Sequence, residues 1–226
     1  MPLKILHKIT QNCHIIVKIS GNTIQHTKKP YLYRDISAIK QNTIVPKYNN
    51  LFYSKTPCYK GLCLNANYSK DDLPISNATN EVQVDFELVE ITDISDSTHS
   101  FSISAVLVVQ WFEPRVTYNG SAPYFMMPKK FAHHFWRPDL YFWNAQNFKV
   151  HTFVDGRPVS ELGFSGNGAN PNLGYSLFFQ AEIKCKMRFD DYPFDHHVCH
   201  LELTSYKHIS SEIKLKVKYV EYTNLE

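Results

Sequence analysis

The chain has 226 residues, of which 20% are charged, a formal net charge of +3 and a sequence pI of about 8.5. That length suits one all-β domain with an extension and calls for no second domain. No run approaches the roughly 18 consecutive apolar residues of a membrane-spanning helix; the longest, Ala105-Val106-Leu107-Val108-Val109, is of strand length.

Charge is divided unevenly. Residues 1–60 hold ten Lys or Arg against one acid, Asp35, and the remainder holds fourteen against twenty. The basic, Asn-rich lead has no clear hydrophobic period, so residues 1–66 read as a disordered or poorly packed extension, with a misplaced gene start equally compatible, and the domain proper is expected over 67–226. Ile15-Ile16-Val17 is far shorter than the apolar core of a signal peptide and directly follows polar Gln11, Asn12 and His14. The basic residues are dispersed and accompany no nucleic-acid-binding motif, so no nucleic-acid partner is expected. Helix is sparse, at most a short one between Lys28 and Asn42 or near Ser69.

Cys58 and Cys63 bracket Tyr-Lys-Gly-Leu, in which the glycine can turn the chain, so a small disulfide is one reading, and Cys13 is left odd. Asn67-Tyr68-Ser69, Asn77-Ala78-Thr79 and Asn119-Gly120-Ser121 have the acceptor form for N-glycosylation, a modification of secretory compartments.

From Glu81 onward the pattern is β. Val82, Val84, Phe86 and Leu88 alternate with polar Gln83, Asp85 and Glu87, the period of a strand with one buried face. Ile103, Ala105, Leu107, Val109 and Trp111 repeat the alternation, and Ile213, Leu215, Val217 and Tyr219 interleave with Lys214, Lys216 and Lys218. Turn clusters lie at Asp93 to Ser97 and at Gly163 to Gly174. Short strands with this punctuation predict an antiparallel β-sandwich of immunoglobulin-like type with Greek-key features.

No nucleophile elbow, His-Glu-x-x-His or glycine-rich phosphate loop is present, so no enzyme, catalytic residue or cofactor is expected. His133-His134, His196-His197 and His200 raise a metal reading, but adjacent histidines on a strand point to opposite faces and each pair offers one easy ligand, so no metal site is assigned.

Cys185 and Cys199 enclose Lys-Met-Arg-Phe-Asp-Asp-Tyr-Pro-Phe-Asp-His-His-Val. A bridge between them would close a loop of about 15 residues, worth roughly 3 kcal/mol in chain entropy. At its tip, Pro193 turns the chain between two aromatics. On spacing alone this is a disulfide-pinned hairpin of any secreted β-protein. Trp136-Arg137-Pro138-Asp139 and Trp111-Phe112-Glu113-Pro114-Arg115 precede it. Together, in this order, the three motifs resemble those of the Cys-loop pentameric ligand-gated ion channels, the family of nicotinic, serotonin, GABA and glycine receptors. Cys185, Met187, Phe189, Tyr192, Pro193, Phe194, Asp195 and Cys199 all fall on the signature loop. The resemblance runs from about Leu73 to about Tyr222, with Glu113 in place of the family's aspartate.

The resemblance implies a twisted ten-strand sandwich that binds a small transmitter at subunit interfaces of a homo- or heteropentamer. Tyr141 and Trp143 occupy the positions of the first aromatic of the pocket, and Ser205-Tyr206 those of the second wall. Tyr192, Pro193, Phe194 and Asp195 would form the tip that passes ligand binding to the pore. Val106 stands where the neighbouring subunit's face usually has an aromatic, and Phe178 replaces the arginine of a Tyr-Ser-x-Arg pattern. The family carries two further strands and four membrane helices after the strand that ends here near Glu226, so the resemblance places the full-length protein at the plasma membrane with this domain outside. A soluble secreted binding or assembly module on the same sandwich is the second reading.

Overall fold

In a computed structural model, residues 3–9, 13–19, 56–154, 160–188 and 197–222 are described. The alternation seen in the sequence becomes the long hairpin of β5 (Asn80–Ser95) and β6 (Ser100–Phe112), paired antiparallel with Val84 opposite Val109 and Phe86 opposite Leu107. β12 (Pro171–Lys184) lies on the other side of β6, and β14 (Ile213–Tyr222) lies parallel to β5. With β8 (Tyr124–Met126), β10 (Ala145–Val150) and β11 (Leu162–Gly166) they make one seven-stranded sheet.

A second sheet has the order β1 (Leu3–Ile9), β2 (Cys13–Ile19), β13 (His197–Ser205), β9 (Leu140–Phe142). Phe142 of β9 packs on Phe179 of the large sheet with ring centroids 5.2 Å apart and on Phe86 at 6.4 Å, so aromatic rings join the two layers. Phe86, Phe179, Leu201 and Leu203 are all almost wholly buried, each contributing about 1.5–3 kcal/mol of hydrophobic stabilisation. The fold is all-β and sandwich-like, as the alternation predicts. Two of its pairings, β5 with β14 and β2 with β13, are parallel.

Within residues 1–66, for which composition suggests an unpatterned extension, β1 and β2 form a hairpin. β3 (Cys58–Tyr59) and β4 (Leu62–Leu64) form another against β7 (Val116–Tyr118), and Leu62 and Leu64 belong to the core. The turn between β3 and β4 holds Lys60 at φ 49° and Gly61 at φ 82°. Such a two-residue turn with both angles positive matches the twist of its strands, and a Cβ on Gly61 would meet the Gly120 nitrogen at 2.8 Å.

Two local expectations are corrected. Gly163 to Gly174, read as a turn cluster, is mostly the β11–β12 hairpin, with Gly163 directly opposite Gly174 and the turn confined to 167–170, where Asn167 Oδ1 accepts the Ala169 and Asn170 N–H groups. The side-chain amide thus replaces a longer loop. The short helix expected near Ser69 is absent there. Among the described residues the one helix is α1 (Lys129–Ala132), which begins after Pro128 and buries Phe131 and Ala132. The stretch Lys28 to Asn42 lies outside the described residues. No described helix is long and apolar enough to cross a membrane.

Candidate functional site

The expected pocket aromatics converge. β9 pairs with the end of β13, setting Tyr141 opposite Thr204 and Leu140 opposite Ser205. The Tyr141 ring lies 6.1 Å from Trp143 and 5.8 Å from Tyr206, the latter edge to face. Trp143 is 69% exposed and Tyr206 79% exposed. Three aromatic side chains thus share one solvent-facing corner. Each ring face offers a cation about 0.5–2 kcal/mol of attraction, rising with desolvation.

Their positions are set from behind. Asp139 accepts the Ser205 hydroxyl on Oδ1 at 2.7 Å and the Lys207 N–H on Oδ2, while its carbonyl accepts the Tyr206 N–H at 3.1 Å. Asn144 donates to the His200 and Lys184 carbonyls and accepts the Glu202 N–H, tying the turn after Trp143 to β12 and β13. Further back, Trp136 packs edge-on against Trp111 at 5.6 Å, and its backbone N–H donates to the Tyr68 hydroxyl at 2.9 Å.

That hydroxyl donates in turn to Glu113, which is fully buried. Arg115 grips the Glu113 carboxylate with two bonds, Nε at 2.7 Å and Nη2 at 2.8 Å, and uses Nη1 on the Ser69 and Asp72 carbonyls. Burial and the neighbouring carboxylate push the Tyr68 hydroxyl well above its ordinary pKa, so it remains a donor. Burial works against the Arg115 charge, but the hydrogen bond and charge of Glu113 outweigh it and raise its pKa. Glutamate at 113, the departure from the resemblance, is therefore accommodated by a paired and hydrogen-bonded buried charge. Tyr68 and Asn144 escaped the sequence reading, because their bonds depend on segments that meet only in the fold.

The profile of the neurotransmitter-gated ion-channel ligand binding domain matches residues 59–225. The chain belongs to this family. Among curated proteins it is similar to the gamma-aminobutyric acid receptor subunit alpha-3 of Bos taurus and of Homo sapiens, 24% identical over 139 residues, and to subunit alpha-2 of Rattus norvegicus, 23% identical over 139 residues. These alignments take in 62% of this chain but 27% of the alpha-3 subunits and 30% of the alpha-2 subunit. The chain thus matches under a third of the length of these receptor subunits.

Elsewhere in this ligand-binding domain, Val106 and Phe178 are direct register partners on β6 and β12, in the other sheet from the aromatic corner. The Phe178 ring stacks on His151 at 3.9 Å, 7° from parallel, and His151 donates its backbone N–H to the Phe178 carbonyl. The His151 Nε2 is buried without a hydrogen-bond partner among the described residues.

Cys185 and Cys199 are bridged, with Cα atoms 5.2 Å apart, and Cys58 and Cys63 are bridged with Cα atoms 4.1 Å apart. Cys185, Met187 and Cys199 are buried, and the Cys185 N–H donates to the His99 carbonyl, so the loop's base is anchored beside the β5–β6 turn. Its tip, Tyr192, Pro193, Phe194 and Asp195, lies outside the described residues. Asn67, Asn77 and Asn119 are all exposed. Among the described residues no three His, Cys, Asp or Glu side chains gather as metal ligands. His133 and His134 stack at 4.0 Å, and desolvation, His133 and Lys70 together hold the His134 pKa below its ordinary value.

Proposed function

We propose that this domain binds a small, amine-bearing transmitter-like ligand at the interface between receptor subunits on the outer face of the plasma membrane. The observation that carries the reading is the solvent-exposed corner of Tyr141, Trp143 and Tyr206, backed by Asp139. Phe178 of that neighbour, partly exposed beside the buried Val106, would supply the facing wall. A ligand captured there biases the receptor toward the state it binds better, and the Cys185–Cys199 loop, through Tyr192, Pro193, Phe194 and Asp195, would carry that bias to a pore domain. The relatives are named for gamma-aminobutyric acid, which has an ammonium and a carboxylate. The corner suits the ammonium, whereas Phe178 offers no charge to a carboxylate.

Tetramethylammonium serves as the test probe because it presents a cation without hydrogen-bond donors. Quenching of Trp143 emission should report its binding, and Tyr206→Ala should weaken it about tenfold, the equivalent of roughly 1.4 kcal/mol. An affinity equal in the parent chain and the variant would remove the basis of the assignment.

A further inference from the structure

We propose that the seven-stranded sheet carries a second ligand site, for a short zwitterionic amino acid held between Lys149 and Asp93. Both residues line a polar cavity of about 190 Å³ on β5, β6, β10 and β12, with Ser102, Ser104, Gln180 and Glu182 between them. Its size is below the roughly 300–1,000 Å³ of pockets for drug-sized ligands, so the occupant is small. Two matched irregularities make the cavity. β6 and β12 pair regularly from Ser100 opposite Lys184 to Phe112 opposite Asn172. The strands flanking them both bulge beside the rung that holds Ser102 and Glu182. β5 gains one residue between Thr92, opposite Ser102, and Ser95, opposite Ser100. β10 gains one between Gln146, opposite Glu182, and Lys149, opposite Gln180. A bulge bends its strand and re-aims its side chains, and the small serines at 102 and 104 leave the space between the two bulges unfilled.

Each bulge contains a residue of positive φ, Asp93 at 51° and Asn147 at 50°. Glycine adopts this conformation most easily, and Asn and Asp are the residues with side chains that best tolerate it. Non-glycine residues held there gather at ligand clamps and active sites. Asn147 uses its side chain within the fold, donating to Glu182 Oε2 at 2.7 Å. Asp93 has no comparable use. Among the described residues its carboxylate accepts only the Thr92 hydroxyl, at 3.3 Å.

The remaining charges divide into committed and free. Glu182 is committed, since Lys184 also donates to its Oε1 at 2.7 Å. Ser104, 8% exposed, accepts Gln180 Nε2 at 3.3 Å. Lys149 has no hydrogen-bond or ion-pair partner among the described residues. It stands on β10 and Asp93 on β5, with β12 and β6 between, so their backbones are at least about 14 Å apart at three strand spacings. A molecule with a carboxylate for Lys149 and an ammonium for Asp93 would span that gap over Ser102 and Gln180. The cavity is independent of the aromatic corner, which lies on the other sheet. It shares a face with Phe178, because Gln180 and Glu182 follow Phe178 at the strand period, so a ligand here would bear on any subunit packed against that face.

Titration of the nitrogen-labelled full chain with β-alanine, followed by NMR, tests the proposal site by site. The backbone amides of Ser102, Ser104, Gln180 and Glu182 should shift and saturate. Lys149→Gln and Asp93→Asn should each weaken that binding about tenfold, as expected for one lost hydrogen bond to a charged group. Lys149 and Asp93 are exposed, so both variants should fold, and asparagine tolerates the backbone angle at 93. Propanoate, which lacks the ammonium, should also bind about tenfold more weakly than β-alanine. Tyr206→Ala, which tests the aromatic corner, should leave these four shifts intact, and both cavity variants should leave tetramethylammonium quenching of Trp143 intact. The absence of shifts at these amides at about 10 mM β-alanine, or shifts at the corner alone, would overturn the proposal. Equal binding of propanoate, unchanged affinity in either cavity variant, or loss of the four shifts in Tyr206→Ala would overturn it as well.

Discussion

Asp139 holds Ser205 at 2.7 Å through one carboxylate oxygen and the Lys207 N–H through the other, so a loop and the end of a strand 66 residues apart move as one piece. Tyr206 lies between the two held residues. Hydrogen bonds to a charged group are worth about 1.5–3 kcal/mol each. Asp139→Ala should therefore lower stability by about 2–4 kcal/mol, read as the urea midpoint, and weaken tetramethylammonium binding as much as Tyr206→Ala does. Asp139→Asn keeps one acceptor oxygen and should retain an intermediate affinity. If the alanine variant bound the probe as the parent does, Asp139 would have no part in placing Tyr206.

The Glu113–Arg115 pair gives the opposite kind of result, large in stability and indirect in binding. Glu113 is fully buried and the Arg115 side chain is 19% exposed. Removing one partner of a buried pair costs about 3–5 kcal/mol, because the other is left buried and unpaired. Arg115→Ala should reach that range in denaturant unfolding, and Tyr68→Phe, which removes the acceptor of the Trp136 N–H, should cost about 1–3 kcal/mol. A loss below about 1 kcal/mol for Arg115→Ala would mean that water reaches Glu113.

The two bridges should differ in weight. Chain-entropy arguments assign about 3 kcal/mol to a loop the size of that between Cys185 and Cys199 and about 2 kcal/mol to one the size of that between Cys58 and Cys63. Paired serine substitutions, followed by thermal unfolding, should reproduce that order. The reverse order would show that the packing around Leu62, and not loop closure, governs the smaller bridge.

These outcomes bear on how far the sequence could be read. The large sheet was legible in β5, β6 and β14 because their apolar residues recur with period two, and in β5 burial follows that period at Val82, Val84, Phe86 and Leu88. The corner was legible because Trp136-Arg137-Pro138-Asp139 and Ser205-Tyr206 kept motif order, which located Tyr141, Trp143 and Tyr206 without a fold. The N-terminal hairpin was not, since Cys13 to Ile19 finds its pairing partner some 180 residues away at His197 to Leu203. Asn144 was invisible for the same reason, since its three bonds are to residues of β12 and β13. Glycines also misled, because Gly163 and Gly174 punctuate a turn on paper and pair across a ladder in the fold.

Glu182 sets an acid limit on the lower part of the large sheet. Lys184 donates to its Oε1 and Asn147 to its Oε2, both at 2.7 Å. The bonds from Lys184 first, then Ser100 and Asn147, hold its pKa down from 4.5 to about 2. The folded value lies below the unfolded one, so between them the unfolded chain binds more protons and stability rises with pH. The contribution is complete above the unfolded value of 4.5 and is lost as pH falls toward 2. Glu182→Gln cannot titrate and shares every other carboxylate with the parent chain. The difference in Tm between the two should be constant above pH 5, shrink from there to pH 2, and flatten in about 1 M salt, where the Debye length is about 3 Å. Parallel Tm curves across that range would show that the three donors do not favour the ionised carboxylate over the protonated one.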